Sequence, residues 1–269
     1  MGGKVLYFEA PDGISGDMTL GALIDAGADI DSIRLELDKF VPGEYAIHAH
    51  PFERNGIHGV NLEVLVDDEY AESRHEHGHG GEPHHSHSHR SYADIKKMIA
   101  DSGISQKAKD YALAIFETIA EAEAAVHQME TEEVSFHEVG AMDSIIDIVG
   151  TAVAISLLDV DEFYTSAPRD GSGTIVCRHG LIPVPVPAVM EMAKNAGIPI
   201  IIEHEAQTEM ITPTGFGIIK GLKAKFEPSF GIIPEKTGYG FGKRDTGRLG
   251  AVRVTIGEKY EEAEEKQEK

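Results

Sequence analysis

Two aspartates spaced four residues apart are the strongest candidates for chemistry in this sequence. Asp143 and Asp147 lie in a segment whose apolar residues recur with helical spacing, so both carboxylates fall on one face of a predicted helix, in line with Gly150 and Ala154. Isoleucines and valines occupy most of the remaining surface of this helix. We therefore expect it to be buried, where an unpaired carboxylate is strongly unfavourable. The aspartates need partners, which could be backbone amides, basic side chains or a cation.

His137 and Glu138 immediately precede the same helix and bring the number of potential metal ligands or proton carriers to four within eleven residues. The positive end of the helix dipole favours negative charge there, and an imidazole can reach the first turn. One interpretation is a metal or catalytic site; the other is a buried helix whose aspartates cap neighbouring loops. The motif differs from that of zinc proteases, because Ala141 occupies the position that needs a second histidine.

A glycine-rich turn near the N terminus is a second candidate site. Residues 4–9 have the pattern of a buried strand, and Ser15, Gly16 and Asp17 lie between that strand and a predicted helix. Backbone amides in such a turn can bind an anion, and a carboxylate beside them suits a phosphate that a metal ion bridges. The alternative, which the turn alone favours, is a tight turn in which Ser15 or Asp17 caps the helix.

Two later segments could bind a phosphate. Thr212 and Thr214 flank a proline in the pattern of a helix N terminus, which presents free backbone amides. Lys243 and Arg244 lie in a glycine-rich segment, 238–248, that we predict to be a loop. This segment also carries two aromatic residues able to stack on a ring, Tyr239 and Phe241. The alternative is a hairpin loop whose basic residues pair with surface acids, since the segment lacks a P-loop pattern.

Seven histidines lie in a polar stretch between residues 67 and 90. This composition cannot build a core, so we expect a disordered loop. Neutral imidazoles bind Ni, Zn, Cu or Fe(II), so metal capture is one interpretation and a solvated linker is the other. The histidines are His75, His77, His79, His84, His85, His87 and His89.

The charge and the cysteine content exclude several classes of protein. The net charge of −22, from 24 basic and 46 acidic residues, opposes binding to nucleic acid or to an anionic membrane. No apolar run approaches the roughly 20 residues of a membrane span, and the N terminus has no signal-peptide pattern. Cys177 is the only cysteine, which excludes an intramolecular disulfide and a cysteine-based zinc site. We expect a cytoplasmic protein in which any metal chemistry uses histidine and carboxylate ligands.

The order of predicted elements favours an α+β fold with mixed strands and a helical middle that contains the buried acidic helix. A hairpin is predicted around Asn55 and Gly56, and a strand at 174–176 is predicted to follow one at 163–166. Alternate prolines over 181–187 predict an extended segment. The predicted divisions are an α/β segment with the hairpin (1–66), the disordered loop (67–90), a remainder belonging to the same domain (91–257) and a charged tail (258–269).

Six motifs, in this order, resemble the nickel-insertion proteins of lactate racemase maturation over nearly the whole sequence. They are the segments 13–18, the histidine-rich insertion, 136–147, 183–187, 211–215 and 238–245. The resemblance implies insertion of nickel into pyridinium-3,5-bisthiocarboxylic acid mononucleotide, with hydrolysis of CTP and a divalent cation such as Mg or Mn. The implied product is the nickel-pincer nucleotide that lactate racemase uses.

The resemblance also implies a partner. Full-length members of that family continue into a C-terminal domain associated with CTP binding, whereas this sequence ends in a charged tail and resembles the shorter product that some members make. We therefore expect CTP hydrolysis and complete nickel insertion to need that domain, or a full-length homologue, within the lactate racemase maturation system.

Our hypothesis is that the histidine tract collects nickel and passes it to a site near His137, Asp143 and Asp147. His137 or Glu138 would be the base that removes the ring proton. The Thr212 helix start and the loop with Lys243 and Arg244 would hold the phosphate. Two other hypotheses are a nickel or zinc storage protein that acts through the histidine tract, and a regulatory or scaffold fragment that assembles with full-length protein.

Overall fold

The computed structural model describes residues 3–43, 45–66, 90–136, 139–160, 162–244 and 247–260. Within them the fold is mixed α+β, with seven α-helices and a seven-stranded mixed sheet. None of the described helices is both long enough and apolar enough to cross a membrane.

The helices are α1 (Gly16–Asp25), α2 (Ile30–Leu37), α3 (Tyr92–Asp101), α4 (Gln106–His127), α5 (Met142–Leu158), α6 (Pro187–Ala193) and α7 (Pro213–Gly221). The strands are β1 (Lys4–Glu9), β2 (Tyr45–Arg54), β3 (Ile57–Val66), β4 (Arg90–Ser91), β5 (Ser135–Phe136), β6 (Glu162–Thr165), β7 (Arg169–Asp170), β8 (Thr174–Cys177), β9 (Gly180–Pro183), β10 (Ile201–Ile202), β11 (Lys225–Phe226), β12 (Ile232–Phe241) and β13 (Ala251–Lys259).

The main sheet joins strands from both ends of the chain, in the order β11-β6-β1-β13-β12-β3-β2. Its central strand β13 is antiparallel to both β1 and β12, whereas β1 is parallel to β6 and β12 is parallel to β3. At the edge, β2 and β3 form a hairpin through Asn55 and Gly56, which have φ angles of 55° and 76°. Positive φ at both turn residues gives the twist that a two-residue hairpin needs.

The helices form layers on this sheet, with α1 as the innermost one. α1 packs on β12 and β3 and also contacts α5, which packs in turn against α4. Gly150 of α5 allows a close approach, because a Cβ atom there would lie 2.8 Å from a methyl carbon of Leu20 in α1. The small residues in line with Asp143 and Asp147 therefore mark the face of α5 that packs on α1.

The glycine-rich segment beginning at residue 238 is partly a strand, which corrects the predicted loop. Gly238 and Gly240 lie in β12, where Cβ atoms would come within 2.2 Å of the Ala26 amide nitrogen and 1.8 Å of the Met18 carbonyl oxygen. These glycines are needed because α1 packs directly on the strand. Phe241 is fully buried with its ring 5.0 Å from that of Phe52, so it is not available to stack on a ligand.

The predicted strand at 174–176 is present as β8, and the structure shows which strand it pairs with. Strand β8 does not join β6; it pairs with β9 in a separate two-stranded hairpin. Ile175 pairs with Ile182 on the half-buried face of the hairpin, and Val176 pairs with Leu181 on the face where their exposed fractions are 81% and 68%. The prolines after residue 182 explain this, because a proline lacks the amide hydrogen that a central strand must donate.

Candidate functional site

The N termini of α1 and α7 lie side by side, although about 200 residues separate them in the chain. The Ile14 amide donates to the Met210 carbonyl at 3.0 Å, and the Thr212 amide donates to the Ile14 carbonyl at 3.0 Å. The Gly16 amide donates to the Thr214 hydroxyl at 3.2 Å. In this arrangement the positive ends of two helix dipoles lie close together, and their combined field favours an anion nearby.

Ser15 is the N-cap of α1, as the capping alternative predicts. Its hydroxyl accepts from the Met18 amide and donates to Oδ1 of Asp17. Oδ1 of Asp17 also accepts from the Met18 amide at 2.9 Å. Asp17 therefore uses one oxygen within the turn, and its other oxygen, Oδ2, lies 3.8 Å from Nζ of Lys243.

Asp147 lies against the start of α1 with a buried and unsatisfied oxygen. A Cβ atom on Gly16 would come within 2.9 Å of Asp147 Cβ, so only glycine permits this approach. Oδ1 of Asp147 is buried and has no hydrogen-bond partner among the described residues. Burial raises the pKa of Asp147 well above its ordinary value, and the charges of Asp17 and Asp143 raise it further, whereas Lys243 lowers it. Such a carboxylate must hold a proton or gain a cation.

Asp143 occupies the first turn of α5, one turn before Asp147, and its side chain is exposed. Oδ1 of Asp143 accepts from the Ser144 amide at 2.7 Å, which suits a carboxylate at a helix N terminus. In the part of the chain that the structure describes, no three His, Cys, Asp or Glu side chains are arranged to hold a metal ion. The described acidic side chains near α1 therefore do not form a complete metal-binding site by themselves.

Lys243 and Arg244 lie at a polar cavity of about 250 Å³. We call this the polar cavity; its lining includes Ser15, Asp17, Thr212 and Glu209. Nη1 of Arg244 donates to the Glu209 carbonyl at 3.1 Å and lies 3.4 Å from Oε2 of Glu209. The structure therefore brings together the predicted residues at 15, 17, 212, 243 and 244, and both basic side chains have acidic neighbours.

Asp170 fixes the segment that leads into α7, a role that sequence reasoning missed. Its Oδ1 accepts from three backbone amides, those of Gly171 at 2.8 Å, Met210 at 2.7 Å and Ile211 at 3.0 Å. Burial raises the pKa of Asp170, and these hydrogen bonds act in the opposite direction. An aspartate followed by Gly171 and Ser172 is typical of a turn, so nothing local in the sequence indicates contact with residues forty positions later.

Asp12 holds the segment after β12 over the polar cavity. Its Oδ2 accepts from the Gly250 amide at 3.1 Å, and its Oδ1 accepts from Nε of Arg248. Arg248 also donates to the Pro11 carbonyl at 3.4 Å. Both carboxylate oxygens of Asp12 therefore accept structural hydrogen bonds within the chain.

A second, mainly apolar cavity of about 170 Å³ meets the first at Glu209, which lines both. We call it the apolar cavity. It lies between the C-terminal end of α4, the β8–β9 hairpin and the starts of α6 and α7. Besides Glu209, its polar side chains are Glu123, His127, Cys177 and His179. Nε2 of His127 lies 3.3 Å from Oε2 of Glu123, and the His127 and His179 rings are 5.0 Å apart.

Several predicted site residues lie outside the described part of the chain. His137 and Glu138 are two of them, and all seven histidines of the histidine-rich stretch are others. Their roles as base and as metal ligands stay predictions. Phe136 and Val139, which flank the first pair in sequence, both line the apolar cavity.

Comparison with known proteins identifies the family of this chain. The family model described as nickel insertion protein matches residues 6–269. A protein from Acetivibrio thermocellus is 46% identical over 94% of this chain and 60% of its own length. A protein from Lactiplantibacillus plantarum is 44% identical over 95% of this chain and 62% of its own length. Both are named pyridinium-3,5-bisthiocarboxylic acid mononucleotide nickel insertion protein.

This chain spans about 60% of the length of these relatives, and no solved structure matches it. The family match covers almost the whole chain, including every element that forms the polar cavity. The chain therefore belongs to the nickel insertion protein family.

Proposed function

We propose that this chain binds nickel and pyridinium-3,5-bisthiocarboxylic acid mononucleotide and, together with a C-terminal CTP-binding domain or a full-length homologue, inserts the metal into that nucleotide. The product would be the nickel-pincer nucleotide of lactate racemase. The names of the relatives support the substrate. The observation that carries the proposal is the unsatisfied Oδ1 of Asp147, which lies near two further carboxylates, Asp17 and Asp143, and close to the polar cavity.

The phosphate of the mononucleotide would bind in the polar cavity. Two helix N termini begin there, and Lys243 and Arg244 supply full positive charges. Hydrogen bonds from cations to a phosphate are stronger than those between neutral groups. Asp17 and Glu209 are the acidic neighbours of these two side chains.

Nickel would bind near Asp147, with Asp17 and Asp143 adding negative charge. A divalent cation there removes the repulsion among the three carboxylates and satisfies the buried oxygen. Nickel also takes imidazole and sulfur ligands, so His137 would complete this loading site, and the metal would then pass to the two sulfurs of the substrate. His137 or Glu138 would accept the ring proton whose removal lets a ring carbon bind the metal.

Nickel must also be supplied to the site, and the nucleotide must be activated with CTP. The histidines between residues 75 and 89 would collect nickel and raise its concentration near the site. CTP, with Mg or Mn, would bind and be hydrolysed on a C-terminal CTP-binding domain or on a full-length homologue. In this arrangement the present chain holds metal and mononucleotide.

The first prediction tests the carboxylate of Asp147. Asp147→Asn should lower nickel affinity by about tenfold or more while the fold is kept, because the shape is preserved and the ligand charge is lost. Calorimetric titration with nickel and thermal unfolding would measure both quantities. Asp159→Asn is a matched control, since Asp159 follows the C-terminal end of the same helix and its side chain is 91% exposed.

Two outcomes would contradict this assignment. Normal nickel binding by the Asp147→Asn variant would exclude Asp147 as a ligand. Unfolding of that variant would show that the carboxylate is structural. If wild-type protein instead binds several nickel ions weakly, and all are lost on deletion of residues 75–89, metal storage is the better description.

A further inference from the structure

The apolar cavity adjoins the polar cavity, and the proposed function leaves it unused. Glu209 lines both cavities, and Thr212 in the polar cavity is followed in the chain by Pro213 in the apolar one. Each volume is below the roughly 300 Å³ at which ordinary small-molecule sites begin, whereas the two together exceed it. A ligand that occupies both cavities would therefore have the room that a mononucleotide needs.

The walls of the apolar cavity suit a flat ring. Ile175 and Ile182 close it from the β8–β9 hairpin, and Phe136 and Val186 also contribute to its lining. Val186 and Phe136 are almost completely buried, so the walls are firmly packed. Apolar walls with a few polar groups are typical of sites for aromatic ligands.

The charges at the junction also fit a pyridinium nucleotide. The side chain of Glu209 is only 9% exposed and lies where the two cavities meet. In a pyridinium mononucleotide the cationic ring nitrogen joins the ring to the ribose, between the ring and the phosphate. A carboxylate at the junction would therefore face the positive charge, and Lys243 and Arg244 would face the negative one.

Besides the carboxylates of Glu123 and Glu209, the apolar cavity has a thiol and two imidazoles among its lining groups, and the polar cavity has neither kind. Sγ of Cys177 lies 3.9 Å from Nδ1 of His179, and His127 is adjacent. Thiol and imidazole groups are the softer ligands that nickel accepts. These groups are chemically compatible with a neighbouring ring whose sulfur atoms take up nickel, although they do not form a metal site of their own among the described residues.

We propose that the apolar cavity is the subsite for the sulfur-bearing pyridinium ring of the mononucleotide whose phosphate occupies the polar cavity, an inference that rests on the proposed function. The two ends of the ligand then bind on opposite sides of Glu209. Specificity for the ring comes from the β8–β9 hairpin and the start of α6, and affinity for the phosphate comes from α1, α7 and the basic residues.

The test compares variants of the whole chain that either fill the apolar cavity or remove a positive charge from the polar cavity. Ile182→Phe and Ala188→Leu each add volume to the apolar cavity from a different element. Leu181→Phe is the matched control, because Leu181 lies next to Ile182 on the outward face of the hairpin and is 68% exposed. Lys243→Ala removes a positive charge from the lining of the polar cavity. Circular dichroism and thermal melting establish that each variant is folded.

Binding is measured by calorimetry with two probes, pyridinium-3,5-bisthiocarboxylic acid mononucleotide and ribose 5-phosphate, which lacks the ring. Filling the apolar cavity should weaken mononucleotide binding by about tenfold or more and change ribose 5-phosphate binding by less than about twofold. Leu181→Phe should bind both probes normally, and Lys243→Ala should weaken both. Either cavity-filling variant decides the matter if the other fails to fold.

The outcomes separate this inference from the proposed function. If both filling variants bind the mononucleotide normally while Lys243→Ala binds it weakly, the ring subsite is wrong and the proposed function stands. If the filling variants weaken both probes equally, the cavity has no selectivity for the ring and the inference fails. If the wild-type chain does not bind the mononucleotide, the proposed function and this inference both fail.

Discussion

Two aspartates with raised pKa values show how differently this chain uses a buried carboxylate. Asp170 is fully buried, and its Oδ1 accepts from three backbone amides. Each aspartate has one buried oxygen without a hydrogen-bond partner among the described residues, Oδ2 of Asp170 and Oδ1 of Asp147. They differ in their surroundings, because backbone amides bind Asp170, whereas the charges of Asp17 and Asp143 disfavour ionisation of Asp147 further. Asp170 therefore anchors the backbone, whereas a cation beside Asp147 would relieve repulsion among carboxylates.

Replacement of Asp170 by alanine should lower the free energy of unfolding by about 3 kcal/mol or more, because three backbone amides lose their acceptor in a buried place. Asp170→Asn retains an oxygen and should lose less. Urea unfolding of the two variants and the wild type measures the difference. Equal stability of the Ala and Asn variants would contradict the role of these hydrogen bonds.

The pH dependence of stability gives an independent check on Asp170. Burial holds its pKa above the ordinary 3.8, so the folded chain binds the proton more tightly than the unfolded chain. The contribution of Asp170 is fully present below its unfolded pKa and is lost as the pH rises through the folded pKa. The difference in unfolding free energy between wild type and Asp170→Asn should fall over that range. A constant difference would contradict the raised pKa.

At the scale of elements, glycines decide how closely helices approach their neighbours. Gly16 admits Asp147, Gly150 admits Leu20, and Gly240 admits the backbone of α1. These contacts bring α1 against both α5 and β12, with the first turn of α1 at the polar cavity. The position of the site is therefore a result of helix packing as much as of the residues that line it.

Gly240→Ala should destabilise the fold by about 3 kcal/mol or more, since the new methyl group would lie 1.8 Å from the Met18 carbonyl oxygen and α1 would have to move. Gly103→Ala is the control, because its methyl group would meet only the Lys39 side chain, at 3.2 Å. Thermal unfolding compares the two. A Gly240 variant as stable as the Gly103 variant would mean that α1 does not pack on β12 this closely.

At the scale of the whole molecule, the fold brings together segments from the beginning, middle and end of the chain. The polar cavity takes residues from positions 12–18, 209–212 and 242–250, and the helix that carries Asp147 lies beside it. The net charge of −22 attracts cations to this surface in general, while Lys243 and Arg244 create a local exception for a phosphate. A metal and an anionic nucleotide can thus be drawn to adjacent places.

Deletion of residues 75–89 should leave the melting temperature almost unchanged, because the described core is built from residues outside this stretch. Nickel occupancy should fall chiefly when nickel is scarce, since the histidines raise its local concentration. Melting curves and nickel content across a range of metal concentrations test both parts. A large loss of bound nickel at saturating metal would show that the histidines form the main site.

The sequence by itself determined the mixed α+β class, the pairing of Asp143 and Asp147 on one helix and the Ser15 and Thr212 helix caps, because these depend on periodicity and on capping chemistry close in the chain. It also predicted Lys243 and Arg244 as the basic residues of a phosphate site, which stays a prediction, and the structure places both at the polar cavity. Only the tertiary structure decided that Gly238 to Phe241 form a strand under α1, that β8 pairs with β9, and that Asp170 anchors residues forty positions later. The reason is that close approach, strand partners and long-range hydrogen bonds depend on which surfaces meet, and local residue patterns do not carry that information.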